Sequence, residues 1–193
     1  MLKKIMLTSV LVFALAVCVP NKAHAAYSDG AAIGASLFFG YPNQGLALVG
    51  QFKGVPLMFG VQAVAGVLTP RYQYFGIGLT MDWWGLKIPL GQAGESDVHF
   101  YLGPGLAADA AFGSYGVWSV NAGLRMPIGF SFLIKQKWEI FLEPAPTINV
   151  IHADGDGVSI LGIYMGDKDG RRNRWYLGHF LHIAFQVGFR YWF

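Results

Sequence analysis

Beyond residue 30 bulky apolar residues alternate with small or polar ones, and the alternation has period two. In segment 72–84, Phe75, Ile77, Leu79, Met81 and Trp83 share one face, while Tyr74, Gly76, Gly78, Thr80 and Asp82 share the other. The last segment, 180–193, repeats the pattern, with Leu181, Ile183, Phe185, Val187, Phe189, Tyr191 and Phe193 opposing His182, Ala184, Gln186, Gly188, Arg190 and Trp192. Period two is the signature of strands, whose successive side chains point to opposite faces. The same reading gives strands at 31–41, 46–52, 57–68, 72–84, 98–112, 117–133, 138–152 and 180–193, eight in all. The second is the faintest, because Leu46, Leu48 and Phe52 barely outrank Ala47 and Val49. Pro144 and Pro146 lack the ladder donor and predict a bulge or kink in the seventh.

The composition of the smaller face decides which way the bulky face points. A water-facing exterior is about a quarter to a third Lys, Arg, Glu and Asp, whereas here that face is Gly, Ala, Ser, Thr, Asn and Gln with a few charges. Small residues suit a narrow, filled lumen, so the bulky face meets lipid. None of its positions named above is charged, and a charge at the bilayer midplane would cost about 2–4 kcal/mol. Most segments also reach the roughly 9–11 residues that a tilted strand needs to cross the hydrocarbon. The fold class predicted is all-β, an eight-stranded antiparallel up-and-down transmembrane β-barrel over 26–193. A soluble lipocalin-like barrel is the contrary fold. With both termini periplasmic, Trp83, Phe130, Phe132, Trp138, Tyr191 and Phe193 gather at one rim and Tyr41, Phe112 and Trp118 at the other, as aromatic girdles do.

The first 25 residues read differently. Lys3 and Lys4, the apolar run 5–19 and Ala23-His24-Ala25 before Ala26 form the three parts of a secretory signal, with cleavage between Ala25 and Ala26. The single cysteine, Cys18, falls inside it, leaving no thiol in the mature chain; the rival reading makes Cys18 a lipoprotein acylation site. The formal charge of +3 also belongs to this segment, because Lys3, Lys4 and Lys22 leave 14 − 3 = 11 basic residues against 11 acidic ones. The mature chain is neutral and offers nothing to nucleic acid. All 26 glycines lie beyond residue 25, in keeping with a crowded lumen.

On these features the chain resembles the small eight-stranded outer-membrane barrels: the OmpA transmembrane domain and the OmpX and OmpW types. Val187-Gly188-Phe189-Arg190-Tyr191-Trp192-Phe193 is similar to the terminal signal, here Phe189, Tyr191 and Phe193, read by the β-barrel assembly machinery of Gram-negative envelopes. Phe141-Leu142-Glu143-Pro144-Ala145-Pro146 is similar to segments of spirochaetal OmpA-like barrels. The resemblance implies a monomer in the bacterial outer membrane, in contact with its lipid and lipopolysaccharide or an equivalent. Two departures stand out: the outer connections after strands one, three and five are short, and the periplasmic connection 85–97 is long. Adhesion in the family lives on long outer loops and is not carried over.

The inward charges are Asp82, Asp109, Arg125, Glu139, Glu143 and Arg190. An eight-stranded lumen has room only for side chains, and buried charges are paired, so a network is expected in which Arg125 and Arg190 are neutralised by Glu143, Glu139 and Asp82 or Asp109. It can act as a plug or as a gate. Connection 153–179 carries Asp154-Gly155-Asp156-Gly157 and Asp167-Lys168-Asp169-Gly170, neither continuing into the bidentate Glu of a calcium loop; Asp-Gly pairs are ordinary turn formers. Arg171, Arg172 and Arg174 form a basic cluster suited to phosphates, and 158–165 is an apolar stretch that either extends a strand above the membrane or caps the barrel. His179 and His182 are the candidate bases for lipid hydrolysis, but no serine is near either in sequence. The expectation is therefore a non-enzymatic barrel with a structural or surface-interaction role and no cofactor or metal. The alternatives are a narrow channel for ions or small apolar solutes, as in the OmpW type, and a lipid-modifying enzyme.

Overall fold

A computed structural model describes residues 30–41, 43–69, 72–84, 86–166 and 174–193. The leader expected over 1–25, Cys18, the Ala25–Ala26 cleavage point, Arg171, Arg172 and the segment from Asp167 to Gly170 lie outside the described residues. The strands are β1 (Ala32–Tyr41), β2 (Gln44–Gln51), β3 (Leu57–Thr69), β4 (Tyr72–Trp83), β5 (Leu86–Ala93), β6 (Ser96–Leu102) and β7 (Gly105–Gly113). They continue with β8 (Trp118–Arg125), β9 (Ile128–Ile134), β10 (Trp138–Asp154), β11 (Gly157–Ile160), β12 (Ile163–Tyr164) and, after a single helical turn α1 (Leu177–Phe180), β13 (Leu181–Trp192).

Eight of these, in the order β1-β2-β3-β4-β7-β8-β10-β13, form an antiparallel up-and-down barrel that the β10–β13 ladder closes. Followed once around from Tyr191 through Ile33, Gly50, Phe59, Met81, Leu106, Leu124 and Ile148, the register returns to β13 at Leu181, ten residues away. With eight strands, that stagger tilts them about 40° from the axis and leaves an interior that side chains fill.

The bulky face lies outside. Phe75, Ile77 and Leu79 are 57–69% exposed, whereas Thr80 and Asp82 are buried. On β13 Phe185, Val187 and Phe189 are exposed and Gln186, Arg190 and Trp192 are buried. Even in the faint second strand Leu46 and Leu48 face out and Ala47 and Val49 face in.

The structure corrects the strand reading at one level of the barrel. Segments 98–112 and 117–133 are each broken, at Gly103-Pro104 and at Met126-Pro127. No bulge sits at Pro144 and Pro146; β10 pairs with β13 without a slip from Trp138 to Ile148, and the irregularity falls at Asn149/Ile151 against β8. The three sites form one seam, because Gly103 N–H donates to Pro127 O and Met126 N–H to Pro146 O. In an antiparallel strand the N–H and C=O of a residue point the same way. The missing N–H groups of Pro144 and Pro146 therefore face the break between β8 and β9, where no ladder is lost. Beneath the seam the sheet continues as β5-β6-β9-β10. The expected periplasmic loop 85–97 is thus mostly strand, a β5–β6 hairpin whose Leu86 pairs with Leu102. The apolar stretch 158–165 extends β10 as the short hairpin β11–β12.

Candidate functional site

Alternation aims one residue in two into the lumen, and two layers of charge meet there. In the first, Arg125 on β8 donates from Nε to Asp82 Oδ1 and Oδ2 on β4 (3.1 and 3.2 Å) and from Nη2 to Glu143 Oε1 on β10 (2.5 Å) and Gln186 Oε1 on β13 (3.1 Å). Gln186 donates onward to Ser36 Oγ on β1 at 2.7 Å, and Tyr101 of β6 donates to Glu143 Oε2 at 2.5 Å. The layer spans the lumen from wall to wall. Glycine makes the room: a Cβ on Gly129 would lie 2.4 Å from Tyr101 Cζ, and one on Gly105 would lie 2.1 Å from Asp82 Oδ1.

The second layer lies toward the termini. Arg190 packs its guanidinium between Trp84 and Phe141, 4.3 and 4.0 Å from the ring centres, with Nε 3.2 Å from Glu139 Oε2. Trp192 Nε1 donates to Glu139 Oε2 at 2.8 Å, and Lys87 Nζ approaches Glu139 Oε1 at 3.8 Å. Trp84 also stacks on Tyr101 with ring centres 4.2 Å apart, joining the two layers. Three cations (Arg125, Arg190, Lys87) thus meet three anions (Asp82, Glu139, Glu143). Asp109 stands apart from the network expected of it, accepting instead from Asn121 Nδ2 at 2.8 Å and Asn43 Nδ2 at 3.5 Å. Lys87, Trp84 and Tyr101 were not singled out by sequence reasoning; Tyr101 alternates inward in segment 98–112, but Lys87 and Trp84 fall at a strand joint that the pattern does not show.

A cavity of about 250 Å³ opens at the terminal end, beside His99 and Trp192. Another, of about 410 Å³, opens at the loop end, lined by Asn121, His152, Asp154, His179 and His182 among others. None of the six charged residues of the two layers lines either cavity. At the loop end Asp154 Oδ1 accepts from the N–H groups of Asp156 and Gly157, so Asp154-Gly155-Asp156-Gly157 is the β10–β11 turn. That turn places Ser159 opposite His152 in the ladder, with Ser159 Oγ 2.7 Å from His179 Nδ1. This is the serine that the sequence did not set beside a histidine. It is 1% exposed, and His179 has no carboxylate hydrogen-bond partner among the described residues. Burial first, then the neighbouring His152, hold the His179 imidazole below its ordinary range, with Asp154 pulling the other way. His182 meets Gly178 O at 3.2 Å. Of the basic cluster, Arg174 is described, its carbonyl accepting from Tyr164 N–H.

A closed eight-stranded barrel with an apolar exterior and paired charges inside is a membrane-spanning β-barrel of the outer-membrane type. No family model and no curated protein matches the chain. Among solved structures it is similar to Neisserial surface protein A (NspA), at 13% identity and TM-score 0.48, over 85% of this chain and 95% of that one. A major outer membrane protein of Thermus thermophilus is similar at 13% identity and TM-score 0.45, over 85% and 98%. CarO of Acinetobacter baumannii is similar at 13% identity and TM-score 0.37, over 83% and 97%.

Proposed function

We propose that the protein is a closed outer-membrane barrel, both termini periplasmic, with a structural or surface-interaction role and no conduction. The observation that carries this reading is the pair of charge layers between the two cavities. Passing an ion would require separating Arg125 from Asp82 and Glu143 where water does not reach, and a buried charge stripped of its partner costs several kcal/mol. The exposed aromatic residues Phe189 and Phe193 suit contact with lipid and with an assembly machinery that reads the terminal strand.

Planar-bilayer recording tests the proposal. Wild type is expected to insert silently, and Glu143→Ala, which takes a carboxylate out of the first layer, is expected to stay silent or flicker because the second layer still blocks the path. The combination Glu143→Ala/Arg190→Ala, which thins both layers, is expected to conduct. Stepwise currents from the wild type would sink the reading in favour of a channel.

A further inference from the structure

We propose that the loop-end mouth holds a divalent transition-metal site built from His152, Asp154 and His179. One ligand atom from each lies within 4.8 Å of the others, and the two imidazoles stack with ring centres 4.1 Å apart. Two imidazoles and one carboxylate form the donor set of a site with three protein ligands, and all three line the cavity of about 410 Å³, into which a fourth, open position would face.

The groups behind the ligands orient them for metal. Asp109, a carboxylate that only accepts, takes the Nδ2–H of Asn121 at 2.8 Å and so turns the Asn121 oxygen toward His152. His152 Nδ1 lies 2.6 Å from that oxygen and must donate to it, so in the neutral ring the lone pair is on Nε2, 3.3 Å from Asp154 Oδ2. Asp154 has Oδ1 occupied by two backbone N–H groups of the β10–β11 turn, so Oδ2 is the oxygen turned toward His152. Ser159 meets His179 at Nδ1, and when it accepts the Nδ1 proton it leaves Nε2 as the donor to metal. Metal-bound histidines characteristically give their second ring N–H to an oxygen acceptor in this way. Zinc–nitrogen bonds of about 2.0–2.1 Å set tetrahedral ligands roughly 3.3 Å apart. His152 Nε2 and Asp154 Oδ2, 3.3 Å apart, already have that spacing, so metal entry would need only His179 to close in on them. Asp109, left out of the lumen network, gains a role here: it fixes the His152 tautomer through Asn121.

The site does not depend on whether the lumen conducts, and its test is separate. Mature protein refolded in detergent is titrated with Zn²⁺ alone by calorimetry, with Co²⁺ absorption reporting coordination and heat-modifiable gel mobility reporting the fold. One equivalent of Zn²⁺ is expected to bind the wild type and the control His99→Gln, whose histidine lies at the opposite mouth. His179→Gln is expected to abolish saturable binding. Asn121→Ala, which removes no ligand, is expected to weaken binding by about 10–100-fold, and it decides the matter should His179→Gln misfold. No saturable uptake by folded wild type, unchanged uptake in folded His179→Gln, or unchanged affinity in Asn121→Ala overturns the proposal.

Discussion

Arg125→Ala is expected to destabilise the barrel by about 3–5 kcal/mol, the range seen when one partner of a buried ion pair is removed. The size follows from what remains behind. Arg125 donates to two carboxylates, Asp82 and Glu143, each about 4% exposed. Alanine would leave two like charges in one dry compartment. Arg125→Lys is not expected to rescue it, because an ammonium lacks the planar fork that reaches Asp82, Glu143 and Gln186 from one side chain. Replacing the cluster as Asp82→Leu/Arg125→Met/Glu143→Gln, which leaves Tyr101 an acceptor at position 143, is expected to recover most of the loss, since exchanging a buried ion cluster for packed apolar residues is often neutral or stabilising. Urea unfolding in phospholipid vesicles, followed by tryptophan fluorescence and gel mobility, measures each difference. An Arg125→Ala protein within about 1 kcal/mol of wild type, the scale of an exposed pair, would show that water reaches these carboxylates.

The barrel was legible in the sequence because lipid outside and side chains inside impose opposite chemistry on alternate residues. Leu79 and Thr80 are neighbours with 57% and 9% exposure. Periodicity gives the face of a residue but not its height along the axis. Asp82 and Asp109 both read as inward, yet Asp82 pairs with Gly105, four residues before Asp109 on β7. At about 3.3 Å per residue the two carboxylates stand roughly 13 Å apart along the strand. Asp82 falls level with Arg125, and Asp109 falls level with Asn121, its partner across the β7–β8 ladder. Only the stagger of the barrel decides this, and no single strand records it. The proline seam was half visible: Pro144 and Pro146 predicted a disturbance, but it was accommodated by breaks in the neighbouring strands. The loop-end cluster is partly marked in the sequence. Reading Asp154-Gly155-Asp156-Gly157 as a hairpin turn sets His152 across from Ser159; what brings His179 there is the return of the chain through α1, which no local pattern announces.

Leu79→Arg is expected to cost about 2–4 kcal/mol in a bilayer, the penalty for a cation on the lipid face at the midplane of a barrel. Leu79 sits in mid-strand on β4, between Val61 of β3 and Ala108 of β7, and is 57% exposed. It touches none of the lumen charges, so the cost must come from the medium outside. Phe112 supplies the comparison: it lies on the same outer face at the loop-end rim of β7, between Phe75 and Trp118, and is 66% exposed. Arginine there can extend its guanidinium into the interface, and Phe112→Arg is expected to cost about 0–1 kcal/mol. Both substitutions put the same charge on the exposed outer face, and they differ in depth. Unfolding in vesicles of defined composition reads the contrast. A water-facing barrel would tolerate both within about 0.5 kcal/mol, as exposed surface positions do, so near-equal small costs would mean that the apolar exterior meets something other than hydrocarbon.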